Sequence, residues 1–176
     1  EILSKKDFLI GNKINLNTNQ KKKHKLVLLL FVDGLYDFEN LGLGEMSSIM
    51  PNTYKYFSKG TIFKNHRANA EWTLASFPNI FSGGYSHNHK FFHPRKRHEI
   101  GLNSDTLGQL FSKKDYHTFQ VGGGWRMNPE YGFSKGFDRS IYQREIDAKE
   151  VISHFFENYH TFKDRDQFVW LNFNDL

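Results

Sequence analysis

Apolar and polar positions along the chain fall into short blocks separated by polar, glycine-marked stretches. Lys25 to Val32 (KLVLLLFV) is a continuous apolar run after its first residue, the pattern of a central parallel strand buried on both faces. His117 to Val121 leads into Gly122-Gly123-Gly124, and Phe168 to Phe173 is a last apolar strand ending at Asn174-Asp175. Thr61 to Asn65 reads as a further strand. Between these lie helical patterns. Pro51 opens a helix to Ser58, with proline in the first turn and Gly60 past the end. Ala75 to Phe81 is a short helix stopped by Gly83-Gly84, and Ser104 caps a helix through Phe111. Glu145 to Tyr159 is the clearest amphipathic helix. Its apolar face carries Ile146, Val151, Ile152, Phe155, Phe156 and Tyr159, with Glu145, Lys149, Glu150 and Glu157 largely elsewhere.

Strands alternating with helices predict an α/β fold, layered helix–sheet–helix around a mainly parallel sheet. In open sheets of this kind, sites gather beyond the carboxyl ends of the strands. Asp33, the glycine triplet and Asp175 all fall there.

Composition narrows the field. The chain has 176 residues, enough for one domain with a sizeable core. Residues 1–24 are rich in Lys and Asn and weakly patterned, so they read as a lead-in or linker before a domain over 25–176. The absence of cysteine excludes disulfide frameworks and thiolate metal sites, and leaves the compartment open. The longest apolar run, Leu26 to Val32, is far too short to span a bilayer. Starting at Glu1 and ending on an apolar strand, the chain is expected to be a piece of a longer polypeptide.

The net charge of +5 raises the question of an anionic partner. The densest basic runs are KKKHK at 21–25 and HPRKRH at 93–98. Neither is interleaved with aromatic residues as a stacking platform for bases, so no nucleic acid partner is expected. The two runs read as a solvated linker and a solvated loop, the second able to attract an anionic substrate.

The chemistry concentrates in Asn69 to Gly83, NAEWTLASFPNIFSG, taken with Asp33. Thr73 places a hydroxyl just ahead of a short helix, and Asp33 closes the first strand. A nucleophile at a helix N-terminus and a carboxylate at a strand end suit a tetrahedral oxyanion beside a metal. Taken locally, Thr73 reads better as a helix N-cap, a role threonine fills well.

Three stretches together resemble the N-terminal half of the sulfatase family, within the alkaline phosphatase superfamily. LVLLLFVDG is similar to that family's opening strand with its metal-binding Asp. MPNTYKYFSKGTIFKNHRANAEWTLASFPNIFSG is similar to its P-N-x7-G-x-x-F run leading to the nucleophile. TLGQLFSKKDYHTFQVGGGWRMNPEYGFSKGFD is similar to its L-x3-G-Y-x-T-x3-G-K-W-H stretch followed by G-F-D. The resemblance covers Lys25 to Leu176 and implies an alkaline-phosphatase-like fold, incomplete in this chain.

It also implies roles. The family signature places the final glycine ten positions after the nucleophile. Counted back from Gly83, this lands on Thr73 rather than on Ser76, whose Ser-Phe-Pro setting mimics the start of the signature. Ser76 then becomes a substrate-binding candidate. Asp33, Thr73 and Asp175 are the implied metal ligands, Asp175 alternatively being a strand-end cap. Arg126 stands in for the missing Lys and His of G-K-W-H as a donor to the transferred group, or is a solvated loop residue.

The departures shape the expected chemistry. Thr73 is neither the Cys nor the Ser from which sulfatases make formylglycine, Phe77 replaces the signature Arg, and Gly34 replaces the second Asp. Phosphate-ester members of the superfamily use an unmodified Thr or Ser. The expected function is thus metal-dependent hydrolysis or transfer of sulfate or phosphate esters through a Thr nucleophile, on a small-molecule, glycan or lipid ester. The divalent metal is calcium for an oxygen-rich site, or zinc or manganese for one with His ligands. The family's remaining ligands are expected elsewhere in the same polypeptide, and membrane association only through segments outside this chain. The cluster SHNHKFFH at 86–93 reads as a loop shaping the substrate entrance or, less simply, as a metal site. A catalytically silent scaffold or anion-binding domain is the alternative.

Overall fold

The computed structural model describes residues 23–39, 42–90, 105–125 and 128–174. The elements in chain order are β1 (Leu26–Val32), α1 (Met46–Ile49), α2 (Pro51–Phe57), α3 (Thr73–Ser82), α4 (Ser86–His89), α5 (Leu107–Ser112), β2 (His117–Gly122), β3 (Arg139–Tyr142), α6 (Ala148–Thr161) and β4 (Gln167–Phe173), with a 3₁₀ turn at Pro129–Tyr131. The strands form one sheet in the order β1-β4-β2-β3, every pairing parallel. Parallel neighbours require crossovers, and α6 supplies the one from β3 to β4. The expected α/β fold with a mainly parallel sheet is what forms.

β4 organises the interior because it is paired on both sides. Its alternating side chains feed two clusters. Phe168 and Trp170 join Leu74, Phe77, Phe81 and Phe133 on the α3 side, with Leu29 and Phe31 of β1 packed against them. Val169 and Leu171 join Phe119, Val121, Ile146, Val151 and Phe155 on the α6 side. The first cluster is largely aromatic and held edge to face. Phe77 meets Phe133 at 4.7 Å and Trp170 at 4.9 Å between ring centroids, at angles of 85° and 72°. Such geometry sets the positive edge of one ring against the negative face of another.

Four sequence expectations are corrected. β1 is not a central strand buried on both faces. It lies at one end of the sheet among the described residues, and Leu26, Leu28 and Leu30 are 39–42% exposed. Thr61 to Asn65 forms no strand. A helix ending at Ser112 does form, but its N-cap is Thr106, whose hydroxyl accepts from the Gln109 N–H in a reciprocal capping box; the expected cap, Ser104, lies outside the described residues. Helix α6 begins at Ala148 behind the Asp147 cap, and its buried stripe is Val151, Phe155 and Asn158, with Ile152 and Phe156 turned outward. β3 was not anticipated.

The third motif quoted above becomes a structural device. Thr118 on β2 donates its hydroxyl to the Gly136 carbonyl at 2.9 Å, and its N–H donates to Asp138 Oδ2 at 2.9 Å. The Asp138 carboxylate also lies 3.3 Å from Nδ1 of the fully buried His117, an ion-pair distance without the alignment of a good hydrogen bond. Burial alone raises the Asp138 pKa, but the His117 contact and the Thr118 donors outweigh it and hold the carboxyl below its usual 3.8.

Candidate functional site

The site is built where β1 and β4 end and α3 begins. Leaving β1, the chain turns at Asp33-Gly34. The Asp33 N–H donates to the Phe173 carbonyl at 2.9 Å, so the last residue of β4 fixes the backbone that carries the carboxylate. Gly34 has φ of +76°, a left-handed conformation that glycine adopts without steric cost. An Asp at this position, as in the sulfatases that the chain resembles, would be strained in that turn.

Helix α3 delivers the hydroxyl. Thr73 is its first residue, and the N-cap is Trp72, whose side chain makes no capping bond. The reading of Thr73 as an N-cap is therefore corrected: its hydroxyl is turned away from its own helix. Thr73 Oγ1 donates to Asp33 Oδ1 at 2.8 Å, across 40 positions of sequence. Both residues are half-buried. Leu74, Ala75, Phe77, Pro78 and Phe81 anchor the helix in the core, so its start is held by packing. Pro78 removes one N–H from the helix interior. Two side chains further bind carbonyls in this helix, Asn79 Nδ2 to Ala75 and Ser82 Oγ to Pro78. Gly83, left-handed at φ 65°, ends it.

Ser76 is placed differently. Its hydroxyl donates to the carbonyls of Ala70 at 2.8 Å and Trp72 at 3.0 Å, tying the helix start to the preceding loop. The structure thus brings Asp33 and Thr73 together and leaves the Ser76 hydroxyl on backbone acceptors. Arg126 and Asp175 lie outside the described residues.

Part of the cluster at 86–93 can be located. His87 is exposed and stacks on Tyr85. His89 is buried, with Nε2 2.7 Å from Asn79 Oδ1. Because the Asn79 amide nitrogen already donates to Ala75, its oxygen accepts and His89 Nε2 carries the hydrogen. This pair pins α4 against the back of α3. Phe91, Phe92 and His93 lie outside the described residues.

At the ends of β2 and β4 sits a group that sequence reading did not single out. Asn172, 1% exposed, donates through Nδ2 to the Gly123 carbonyl and to Asn174 Oδ1, each at 3.1 Å. The glycines are needed for contact: a Cβ on Gly122 would lie 2.6 Å from the Cβ of Asn172. The available signal was one asparagine inside the apolar run FVWLNF. Among the described residues, no group of three or more His, Asp or Glu side chains is gathered to hold a metal, and no helix is long and apolar enough to cross a membrane. The donors that do meet, one carboxylate and one hydroxyl oxygen, are of the hard type that suits a divalent cation.

The fold and this pair define a class of α/β domain that sets a helix-borne hydroxyl against a strand-end carboxylate. The sulfatase family profile matches residues 25–171, and the chain belongs to that family. Two solved structures share the fold. A protein described as a sulfatase, from Bacteroides thetaiotaomicron, superposes with a TM-score of 0.64 at 18% identity, over 88% of this chain and 36% of that one. The C-terminal periplasmic domain of the phosphoethanolamine transferase EptC from Campylobacter jejuni gives 0.58 at 15% identity, over 86% of this chain and 45% of that one. The chain thus spans less than half the length of either. No curated protein matches it in sequence.

Proposed function

We propose that the chain supplies the nucleophile and part of the metal site of a hydrolase or transferase acting on sulfate or phosphate esters, with Thr73 as the attacking group. The observation that carries this reading is the 2.8 Å hydrogen bond from Thr73 Oγ1 to Asp33 Oδ1. A threonine hydroxyl is a weak nucleophile until a neighbouring base or metal activates it, and this one is held on a carboxylate by two separate elements. Ser76 has no such neighbour and spends its hydroxyl on backbone carbonyls.

In the reaction, Thr73 Oγ1 would bond to the phosphorus or sulfur as the bond to the leaving-group oxygen breaks. The hydroxyl proton would pass to Asp33, which already accepts it as a hydrogen bond. Water or an acceptor hydroxyl would then attack the phospho- or sulfo-threonine and release Thr73. The partial positive charge at the start of α3, a ten-residue helix, would favour the same oxyanion. Asp33 and Thr73 would hold a divalent cation, whose chemistry is to lower the pKa of a bound hydroxyl and offset charge on the transferred group. Arg126 and Asp175 remain the proposed donor and further ligand. An unmodified threonine favours phosphate over formylglycine-type sulfate chemistry.

The remaining ligands are proposed to come from the rest of the same polypeptide. The apolar face of β1 that the described residues leave open, next to Asp33, supports this. The test is an assay of the longer protein with added divalent cations, on p-nitrophenyl phosphate, a phosphodiester and a sulfate ester. Turnover of at least one ester is expected, falling about 10³-fold or more in Thr73→Ala, as nucleophile removal does in other enzymes. Turnover unaffected by Thr73→Ala would sink the reading, and no turnover at all would favour the silent scaffold. The 176-residue chain alone should be inactive.

A further inference from the structure

Behind the strand ends lies a small cavity of about 20 Å³, lined by residues that include Gln120, Gly122, Tyr142, Trp170 and Asn172. Two of these carry buried polar atoms with no protein partner, Trp170 Nε1 and Asn172 Oδ1. Both side chains are 99% buried, with relative exposures of 1%. They stand two positions apart on β4, so they project from the same face of the sheet. One is an obligate donor and the other an acceptor, because the Asn172 amide nitrogen is already used on Gly123 and Asn174.

Leaving two such groups unmade costs about 1–3 kcal/mol each. A cavity needs only about 10–15 Å³ to admit one water, and a buried water commonly joins polar groups that cannot reach each other. The other buried polar orphans, on His117, Asn158 and Gln167, are not among the residues around this cavity.

We propose that this cavity is a binding site for a single resident water, accepting from Trp170 Nε1–H and donating to Asn172 Oδ1. The water ties the aromatic core to the strand ends, because the asparagine it holds also fixes the Gly123 carbonyl and Asn174. Asn172 thereby acts as a positioning residue for the loop after β2, and the water sets its orientation. The site is too small for any larger ligand.

The test is water-to-protein magnetisation transfer on the protein with ¹⁵N-labelled tryptophan. The three indole signals are assigned from Trp→Phe variants. The Trp170 indole hydrogen is expected to show a cross-peak to water with the sign of a long-lived complex, although the ring is buried. In Trp170→Phe labelled uniformly with ¹⁵N, the Asn172 side-chain NH₂ signals should shift and exchange faster. A Trp170 indole hydrogen without a water cross-peak in the unsubstituted protein would overturn the proposal, and its signal is identified by elimination from the Trp72→Phe and Trp125→Phe variants, so Trp170→Phe need not fold. A crystal structure showing Trp170 Nε1 bonded directly to a side chain would overturn it equally.

Discussion

β1 and β4 are both seven-residue strands, pair side by side in parallel register, and read almost alike in sequence, LVLLLFV against QFVWLNF. Their surroundings differ. In β4, Phe168, Val169, Trp170 and Leu171 are at most 1% exposed, with neighbours on both edges and helices over both faces. In β1 only Leu29 and Phe31 are packed into a cluster, while Leu26, Leu28 and Leu30 leave 39–42% of their surface open. A continuous apolar run announces that both faces of a strand are to be covered; it does not say by what. β4 finds its cover among the described residues. Among those same residues β1 finds half of it, and an apolar edge of this length is a surface for pairing.

That contrast can be broken or sharpened by substitution. The largest effect is expected at Trp170→Ala, which empties the centre of the aromatic cluster and should cost about 3–5 kcal/mol in urea unfolding. Gly122→Ala forces a methyl against Asn172 across the β2–β4 seam and should cost about 1–3 kcal/mol, with the loss partly relieved in a Gly122→Ala, Asn172→Gly double variant.

Asp138, far from β1 on the other side of the sheet, gives a pH-dependent effect. Its carboxyl titrates lower in the folded state than the usual 3.8, so its contribution is fully present above that value and lost as pH falls through the lower folded value. Asp138→Asn should therefore lower the urea midpoint at pH 7 and narrow its difference from wild type near pH 3. The smallest effect is expected at Leu28→Ser, about 1 kcal/mol in this chain because part of the side chain is already open. A loss above about 2 kcal/mol there would show that the face is covered and the comparison mistaken.

Much of this fold was legible because its periodicities are local. β2, β4, α2, α3 and α6 declare themselves through apolar runs, prolines, glycines and caps. β3 was not, since RSIY is short and half polar and becomes a strand only by pairing with β2. Thr61 to Asn65 failed for the converse reason: β-branched and aromatic residues suit a strand, but pairing decides. Whether β1 was central or terminal could not be read, because that depends on what docks beside it.

Within the site, Asp33 and Thr73 were found through a resemblance spread over three motifs. Their contact spans 40 positions and exists only once β1, β4 and α3 are assembled. The Asn172 group was missed because a lone asparagine in an apolar strand gives no hint of which carbonyl it will hold. Thr118 and Asp138 lay inside a quoted motif, but their bond needed the crossover to close.

The bond from the Asp33 N–H to the Phe173 carbonyl has one more consequence. It makes the carboxylate a passenger of the β1–β4 ladder: any opening of that ladder from its carboxyl end carries Asp33 away from Thr73 before the aromatic core is disturbed. Fraying of a single peptide pair would thus silence the site at a small fraction of the free energy of global unfolding. Whatever clamps the outer edge of β1 acts as a tensioner on the hydrogen bond between Thr73 and Asp33.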